Sequence, residues 1–267
     1  MIPKIIHYVW VGNNEKNELA LRCIESWRKY LPDYQIIEWG NDSLKNIDNR
    51  YVNDAFKMKK WAFVSDYLRL YALYNQGGFY FDTDLEVTAN LDQFLAHSYM
   101  TGFENFNGNS TEAFPITALM AAEKNNPLIK KMLSEYDNED FILPDGSLNT
   151  YTNTKRITKL MRQEFNLNHT LDAAETLILP NNNTVYPSYY FSTPEDGKPN
   201  FSIHHFDGSW HDNFNRNTLI KLGKFKLALF TRKDASKKFN YMHYGNESVL
   251  YDFSLSKNSR ICLLRSK

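Results

Sequence analysis

Asp82-Thr83-Asp84 is the segment of this 267-residue chain with the clearest capacity for chemistry. Two carboxylates separated by one residue project to the same side of an extended strand and can share a hard cation through oxygen ligands. Mg2+ and Mn2+ are commonly held by one or two carboxylates, with waters and substrate phosphate oxygens completing the shell. A cation held this way neutralises charge that develops on a departing diphosphate. An isolated Asp-x-Asp is more often a solvated turn, so its surroundings decide the reading.

Upstream, Ser65-Asp66-Tyr67-Leu68-Arg69 sets Asp66 and Arg69 at i and i+3, on one face of an expected helix. Read structurally, they form a surface ion pair contributing a few tenths of a kcal/mol. Read functionally, Asp66 accepts hydrogen bonds from sugar hydroxyls while Arg69 orients it or contacts sugar and phosphate.

The elements that must carry these residues follow from periodicity. Residues 4–11 are β-branched and aromatic and close on Gly12-Asn13-Asn14, which suits a buried first strand. Leu19, Cys23, Trp27 and Tyr30 or Leu31 recur at helical spacing until Pro32-Asp33, and Tyr34–Trp39 reads as a second strand. A helix is expected from about Lys59 to Gln76, ended by Gly77-Gly78, where a helix C-terminus needs positive φ. Phe79-Tyr80-Phe81 then begins a strand, so Asp82-Thr83-Asp84 falls at a strand end, where ligands bind in open α/β sheets. Further on come a Gly/Asn-rich loop from Gly102 to Phe114, a helix from Ile116 to Tyr136, a helix over Lys155–Phe165, and a short strand through Ser202–Phe206 running into Gly208.

The run from Ala62 to Asp84, with its serine-aspartate, arginine, double glycine and paired aspartates in order, resembles the signature of glycosyltransferase family 32. That family includes bacterial capsule and exopolysaccharide transferases and yeast-type mannosyltransferases, and its core is similar to that of the glucosylating clostridial toxins. Ile2–Gly12 resembles the family's opening strand. Tyr186-Pro187-Ser188-Tyr189-Tyr190-Phe191, then His204-His205 and Ser209-Trp210, resembles its closing block, so the likeness spans roughly residues 2–211.

The resemblance implies a GT-A fold, an α/β architecture with a Rossmann-like, mostly parallel central sheet, flanking helices and a C-terminal extension. It implies a hexosyltransferase that retains anomeric configuration and uses a nucleotide diphosphate sugar, a UDP-hexose being favoured because Trp10 follows the toxin-like pattern. Val9 and Trp10 would meet the base, Asp66, Arg69 and Tyr80 the donor sugar and diphosphate, and Asp82 and Asp84 a Mn2+ or Mg2+ ion. Asp66, Arg69 and Asp82 form the implied catalytic set. A histidine often fills the third metal position in retaining enzymes of this fold; His205 is the first choice and His204 the second, and strand alternation sends these neighbours to opposite faces, so at most one is a ligand. Ser209 and Trp210 would cover the pyrophosphate. Retention would follow front-face departure, with Glu104 a weaker candidate for a covalent nucleophile. The implied acceptor is a glycan or lipid-linked glycan in surface polysaccharide assembly.

Bulk properties bound these readings. Hydrophobic residues at 42% can fill a sizeable core, and balanced charge gives no footprint for nucleic acid. Residues 216–267 nevertheless hold twelve Lys or Arg and three Asp or Glu, nine positive charges in surplus against nine negative in the remainder. The expected division is therefore a transferase domain over 1–215 and a basic extension over 216–267, packed on the same domain. That basic segment suits either a solvated face or peripheral contact with an anionic membrane. Cys23 and Cys262 are too few for a disulfide framework, and the opening run is too short for a signal peptide, so a cytoplasmic location is expected. Two other readings compete: a binding module for nucleotide sugar or polysaccharide without turnover, and a phosphatase of the haloacid dehalogenase type. The second usually carries its Asp-x-Asp on the first strand, followed two places later by Thr or Val; here that position is Glu86.

Overall fold

β-Branched and aromatic residues with no polar interruption except a histidine make β1 (Ile5–Val9) a buried strand. α1 (Glu18–Tyr30) starts where the Asn17 side chain accepts from the Ala20 N–H, and ends just before Pro32. β2 (Gln35–Trp39), α2 (Arg50–Lys57), α3 (Trp61–Gln76) and β3 (Gly78–Phe81) come next. The computed structural model describes residues 1–104, 113–207, 214–232, 247–256 and 259–266.

The chain continues through β4 (Leu85–Val87), β5 (Tyr99–Glu104), β6 (Phe114–Ala122), α4 (Pro127–Ser134), α5 (Asn153–Glu164), β7 (Leu177–Leu179), β8 (Asn183–Tyr186), α6 (Ser188–Phe191) and β9 (Ser202–His204). Seven strands form one sheet in the order β2-β1-β3-β6-β5-β8-β7. β1 is parallel to β2 and β3, and β5 is parallel to β8, while β6 and β7 are antiparallel to their neighbours. Five of the seven strands therefore share one direction. This is the expected α/β class, a large, mostly parallel central sheet flanked by helices.

Both sheet faces are covered. Tyr80 packs into one core with Leu68 of α3 and Met132 of α4, and Phe79 and Phe81 into another with Cys23, Ile24 and Trp27 of α1. That alternation is the strand period of two. The turn from α3 into β3 is tight: Gly77 and Gly78 have φ of 69° and 103°, and a Cβ on Gly78 would lie 2.6 Å from the Ile5 carbonyl oxygen. Only glycine fits there.

His7, at the middle of β1, fixes the same corner. Its Nε2–H donates to the Gly77 carbonyl at 2.8 Å and its Nδ1 accepts from Trp39 Nε1 at 3.2 Å. Both ring nitrogens are thus used in the neutral form.

One expected element is overturned. The segment from Ile116 reads as helix because it is rich in Leu, Met and Ala, yet Phe114–Ala122 is β6, paired between β3 and β5, and helix begins only at Pro127. A central strand covered on both faces is a continuous apolar run, and such a run has no period that separates it from a buried helix.

The residues divide into two compact units, Met1–His204 and His205–Lys267. The second holds a four-stranded antiparallel sheet of β10 (Phe214–Leu222), β11 (Phe225–Arg232), β12 (Glu247–Ser256) and β13 (Ser259–Ser266), in the order β10-β11-β13-β12. A division at 216 would cut β10.

Burial lowers the His7 pKa to about 4, against the rise given by its bond to Gly77. The unfolded chain protonates near pH 6.5 and the folded one near 4, so the unfolded state binds the extra proton between those values. Stability carried by His7 is complete above pH 6.5 and declines as pH falls toward 4, by about 3 kcal/mol in all. Denaturant melts at pH 7 and pH 4.5 should show this loss in the parent chain and a smaller slope in His7→Gln; equal slopes would remove the assignment.

Candidate active site

Asp82 leaves β3 with its N–H bonded to the Ala118 carbonyl at 2.8 Å, and its own carbonyl accepts from the Leu85 N–H at 3.0 Å. Asp82-Thr83-Asp84 is therefore a β-turn between β3 and β4, and not the extended strand expected from the spacing. The two carboxylates still converge, because the turn is held from outside. Trp27 Nε1 of α1 donates to the Leu85 carbonyl at 2.7 Å and Ser26 Oγ accepts from the Val87 N–H at 2.9 Å.

β4 pairs antiparallel with β9, Leu85 opposite His204. That register sets His204 across from the residue after Asp84. Asp82, Asp84 and His204 each offer a ligand atom, all within 4.8 Å of one another, and His204 Nε2 lies 3.4 Å from Asp84 Oδ1. The structure thus brings His204, the second choice of the two histidines, to the aspartates: β9 ends at His204. Alternation allows one histidine there, but sequence does not reveal which residue faces Leu85.

β9 is itself anchored by the closing block. The Phe201 N–H donates to the Tyr190 carbonyl at 2.8 Å, the His204 N–H to Ser192 at 2.9 Å, and Ser202 Oγ to Phe191 at 2.9 Å. Phe94, Tyr186, Tyr190, Phe191 and Phe201 pack edge-on or tilted around that segment, with Tyr190 stacked on Phe201. These aromatics position the site from behind.

Asp66 and Arg69 are no surface pair. Arg69 is buried, with Nη2 2.9 Å from Asp66 Oδ1, Nη1 3.4 Å from Asp82 Oδ1 and 2.6 Å from the Thr117 carbonyl, and its guanidinium lies 4.6 Å from the Tyr80 ring centre. The Tyr80 hydroxyl donates to Asp82 Oδ1 at 2.7 Å. One guanidinium therefore joins α3, the end of β3 and the centre of β6.

Burial raises the Asp66 carboxyl to about 6, Arg69 opposing and Asp82 adding to the rise. Glu104, at the end of β5, is pushed up to about 7, again first by burial, with His204 opposing and Asp82 and Asp84 adding. For His204 burial disfavours the imidazolium, but Asp84, Glu104 and Asp82 outweigh it and hold the pKa above its ordinary value. The site gathers more negative than positive groups, an arrangement that a cation would relieve.

Trp10 lies just past the C-terminal end of β1, partly buried, with its Nε1–H donating to the Asn14 carbonyl at 2.9 Å and Lys16 Nζ 5.6 Å from its ring centre. The Val9 side chain belongs to the core. Ser209 and Trp210 lie outside the described residues. Glu104 and the Thr117 carbonyl join the site through β5 and β6, in a stretch whose composition suggests loop and helix instead.

Residues 17–101 match the family model described as the glycosyltransferase sugar-binding region containing a DXD motif. The chain is 26% identical over 168 residues to an uncharacterized glycosyltransferase, L373, of Acanthamoeba polyphaga mimivirus, covering 61% of this chain and 64% of that protein. It is 28% identical over 102 residues to inositol phosphoceramide mannosyltransferase 3 of Schizosaccharomyces pombe, covering 35% of this chain and 27% of that one. Among solved structures it is similar to the PaToxG glycosyltransferase, at 20% identity and a TM-score of 0.47, over 62% of this chain and 70% of that one. The chain thus spans less than two thirds of the curated relatives' lengths.

Removing the Arg69 charge would leave Asp66 and Asp82 uncompensated. Arg69→Met should lower stability by about 3–5 kcal/mol at pH 7.5. The loss should shrink at pH 5, where Asp66 protonates; melts of both proteins at the two pH values would expose a pH-independent loss, which contradicts the role of charge.

Proposed function

We propose that the chain is a retaining glycosyltransferase that moves a hexose from a nucleotide diphosphate donor, UDP-linked by preference, to a glycan or lipid-linked glycan acceptor. The observation that carries the proposal is the convergence of Asp82, Asp84 and His204 beside the buried Asp66–Arg69 pair. Likeness to family 32 and to its polysaccharide-building members gives the same direction.

Two carboxylates and an imidazole within 4.8 Å fit a divalent cation that accepts oxygen and nitrogen, such as Mn2+. Asp82, Asp84 and His204 would hold the ion, with Asp82 Oδ1 kept in place by Tyr80 and Arg69. Such an ion, when bound, would supply charge neutralisation for the departing diphosphate. Arg69 holds the Asp82 and Asp66 carboxylates in fixed relation, Asp66 accepts from donor-sugar hydroxyls, and Trp10 offers a ring face to the base, where stacking contributes roughly 1–3 kcal/mol. In the transfer the bond from C1 to the diphosphate oxygen breaks and a bond to the acceptor oxygen forms on the same face. The acceptor's proton passes to the leaving phosphate oxygen, so no protein nucleophile is required. We place this work on the cytoplasmic side of a membrane, in surface polysaccharide assembly.

Nucleotide sugars incubated with Mn2+ or Mg2+ and no acceptor should be hydrolysed slowly, UDP-hexoses fastest. Asp84→Ala should reduce that rate about a hundredfold or more with the fold intact. Donor binding without any hydrolysis would favour the binding-module reading, unchanged turnover in Asp84→Ala would remove the metal role, and an inverted product would overturn retention.

A further inference from the structure

Arg156 is a second buried cation whose charge reaches Asp66, and neither the cation site nor the Arg69 pair uses it. It lies on α5, with Nη1 3.2 Å from Glu139 Oε1 and 3.4 Å from the Glu135 carbonyl, and its guanidinium is 4.7 Å from the Tyr136 ring centre. Its Nε and Nη2 have no hydrogen-bond partner among the described residues, so Glu139 compensates one edge of the guanidinium only. One turn earlier, Asn153 opens the same helix. Asn153 is buried, its Oδ1 accepts from the Tyr136 hydroxyl at 3.1 Å, and its backbone N–H favours the Asp66 carboxylate. Tyr136 is itself fixed from other helices. Asn49 Nδ2, at the start of α2, donates to the Tyr136 carbonyl at 3.1 Å, and the rings of Tyr51 and Tyr67 meet it edge-on at 4.9 and 5.8 Å. The first turn of α5 is thus fastened to Tyr136 twice, and it offers one carboxylate both a helix N-terminus and a guanidinium.

We propose that Arg156 is a positioning residue for Asp66: by fastening the first turn of α5 to Tyr136 and Glu139, it holds the Asp66 carboxylate from α5 as Arg69 holds it from α3. The inference rests on the reading of Asp66 as the group that accepts from donor-sugar hydroxyls. The terminal torsion of an aspartate is broad and roughly two-fold, so a single bond to Arg69 leaves the carboxylate free to turn. Positive partners on a second helix remove that freedom. The groups that face Asp66 are Arg69 on its own helix, Tyr80 and Asp82 at the end of β3, Tyr51 of α2, Tyr136 after α4, and Asn153 and Arg156 of α5. Both arginines favour its charged form and Asp82 opposes it, while the three tyrosines, all raised by burial, stay neutral where Asp66 titrates. Loss of the Arg156 charge therefore moves that titration upward.

A 13C NMR titration of the full chain labelled at aspartate carboxyls, with Asp66→Asn to assign the resonance, tests it. The Asp66 midpoint should rise in Arg156→Met and stay near the parent value in Arg156→Lys, which keeps the charge. With UDP-glucose and Mn2+, Arg156→Met should lower kcat/KM for hydrolysis about tenfold or more and move its acid limb to higher pH. Affinity for UDP, which brings no sugar to Asp66, should be unchanged. Tyr136→Phe removes only the hydroxyl on Asn153 and should lower kcat/KM in the same direction, which covers the case of a Met variant that does not fold. An unchanged Asp66 midpoint in Arg156→Met, or equal loss of UDP and UDP-glucose binding, overturns the proposal. A parent chain that hydrolyses no nucleotide sugar contradicts the transferase reading instead, and the Asp66 midpoint then decides the role of Arg156 alone.

Discussion

The buried guanidinium of Arg69 is the constraint on which the candidate site depends. A cation removed from water is costly unless its partners are close and well oriented. Here those partners come from three elements, Asp66 on α3, Asp82 beyond β3 and the Thr117 carbonyl on β6. Satisfying one side chain therefore fixes the spacing between a helix and two neighbouring strands. Tyr80 adds a hydroxyl to the same Asp82 oxygen and a ring face to the same guanidinium. The carboxylates on offer to a ligand are also the groups that keep the charge of Arg69 compensated.

A second set of contacts shapes the chain beyond Asp84. α1 holds β4 through Trp27 and Ser26, the aromatic block from Tyr186 to Phe201 holds β9, and the pairing of β4 with β9 delivers His204. The site thus sits on rigid secondary structure at the C-terminal edge of a largely parallel sheet, where such folds bind ligands. Burial, with Asp82 adding in both cases, pushes Asp66 and Glu104 toward their neutral forms.

Features that depend on local chemistry were legible in the sequence. The helix ahead of Gly77-Gly78, the strand after it, and the adjacency of Asp66 to Arg69 arise from periodicity and from glycine's access to positive φ. The features that escaped are set by pairing over long sequence distances. β6 reads as helix because a strand covered on both faces lacks a period. Asp82-Thr83-Asp84 reads as extended, whereas its carbonyl closes a turn onto Leu85. The placement of His204 beside Asp84 is set by the register of β9 against β4, which no nearby residue signals. The basic segment shows its charge, yet its strands are hidden by interspersed lysines and by apolar residues on both faces.

Completion of a cation site by His204, together with Asp82 and Asp84, is the central claim. Titration of Mn2+ in the presence of UDP, followed by electron paramagnetic resonance of the free ion, tests it in the parent chain, His204→Ala and His205→Ala. His204→Ala should weaken Mn2+ binding about tenfold or more while His205→Ala matches the parent. Loss of binding in His205→Ala with His204→Ala unaffected, or no Mn2+ binding by the parent chain, would contradict it.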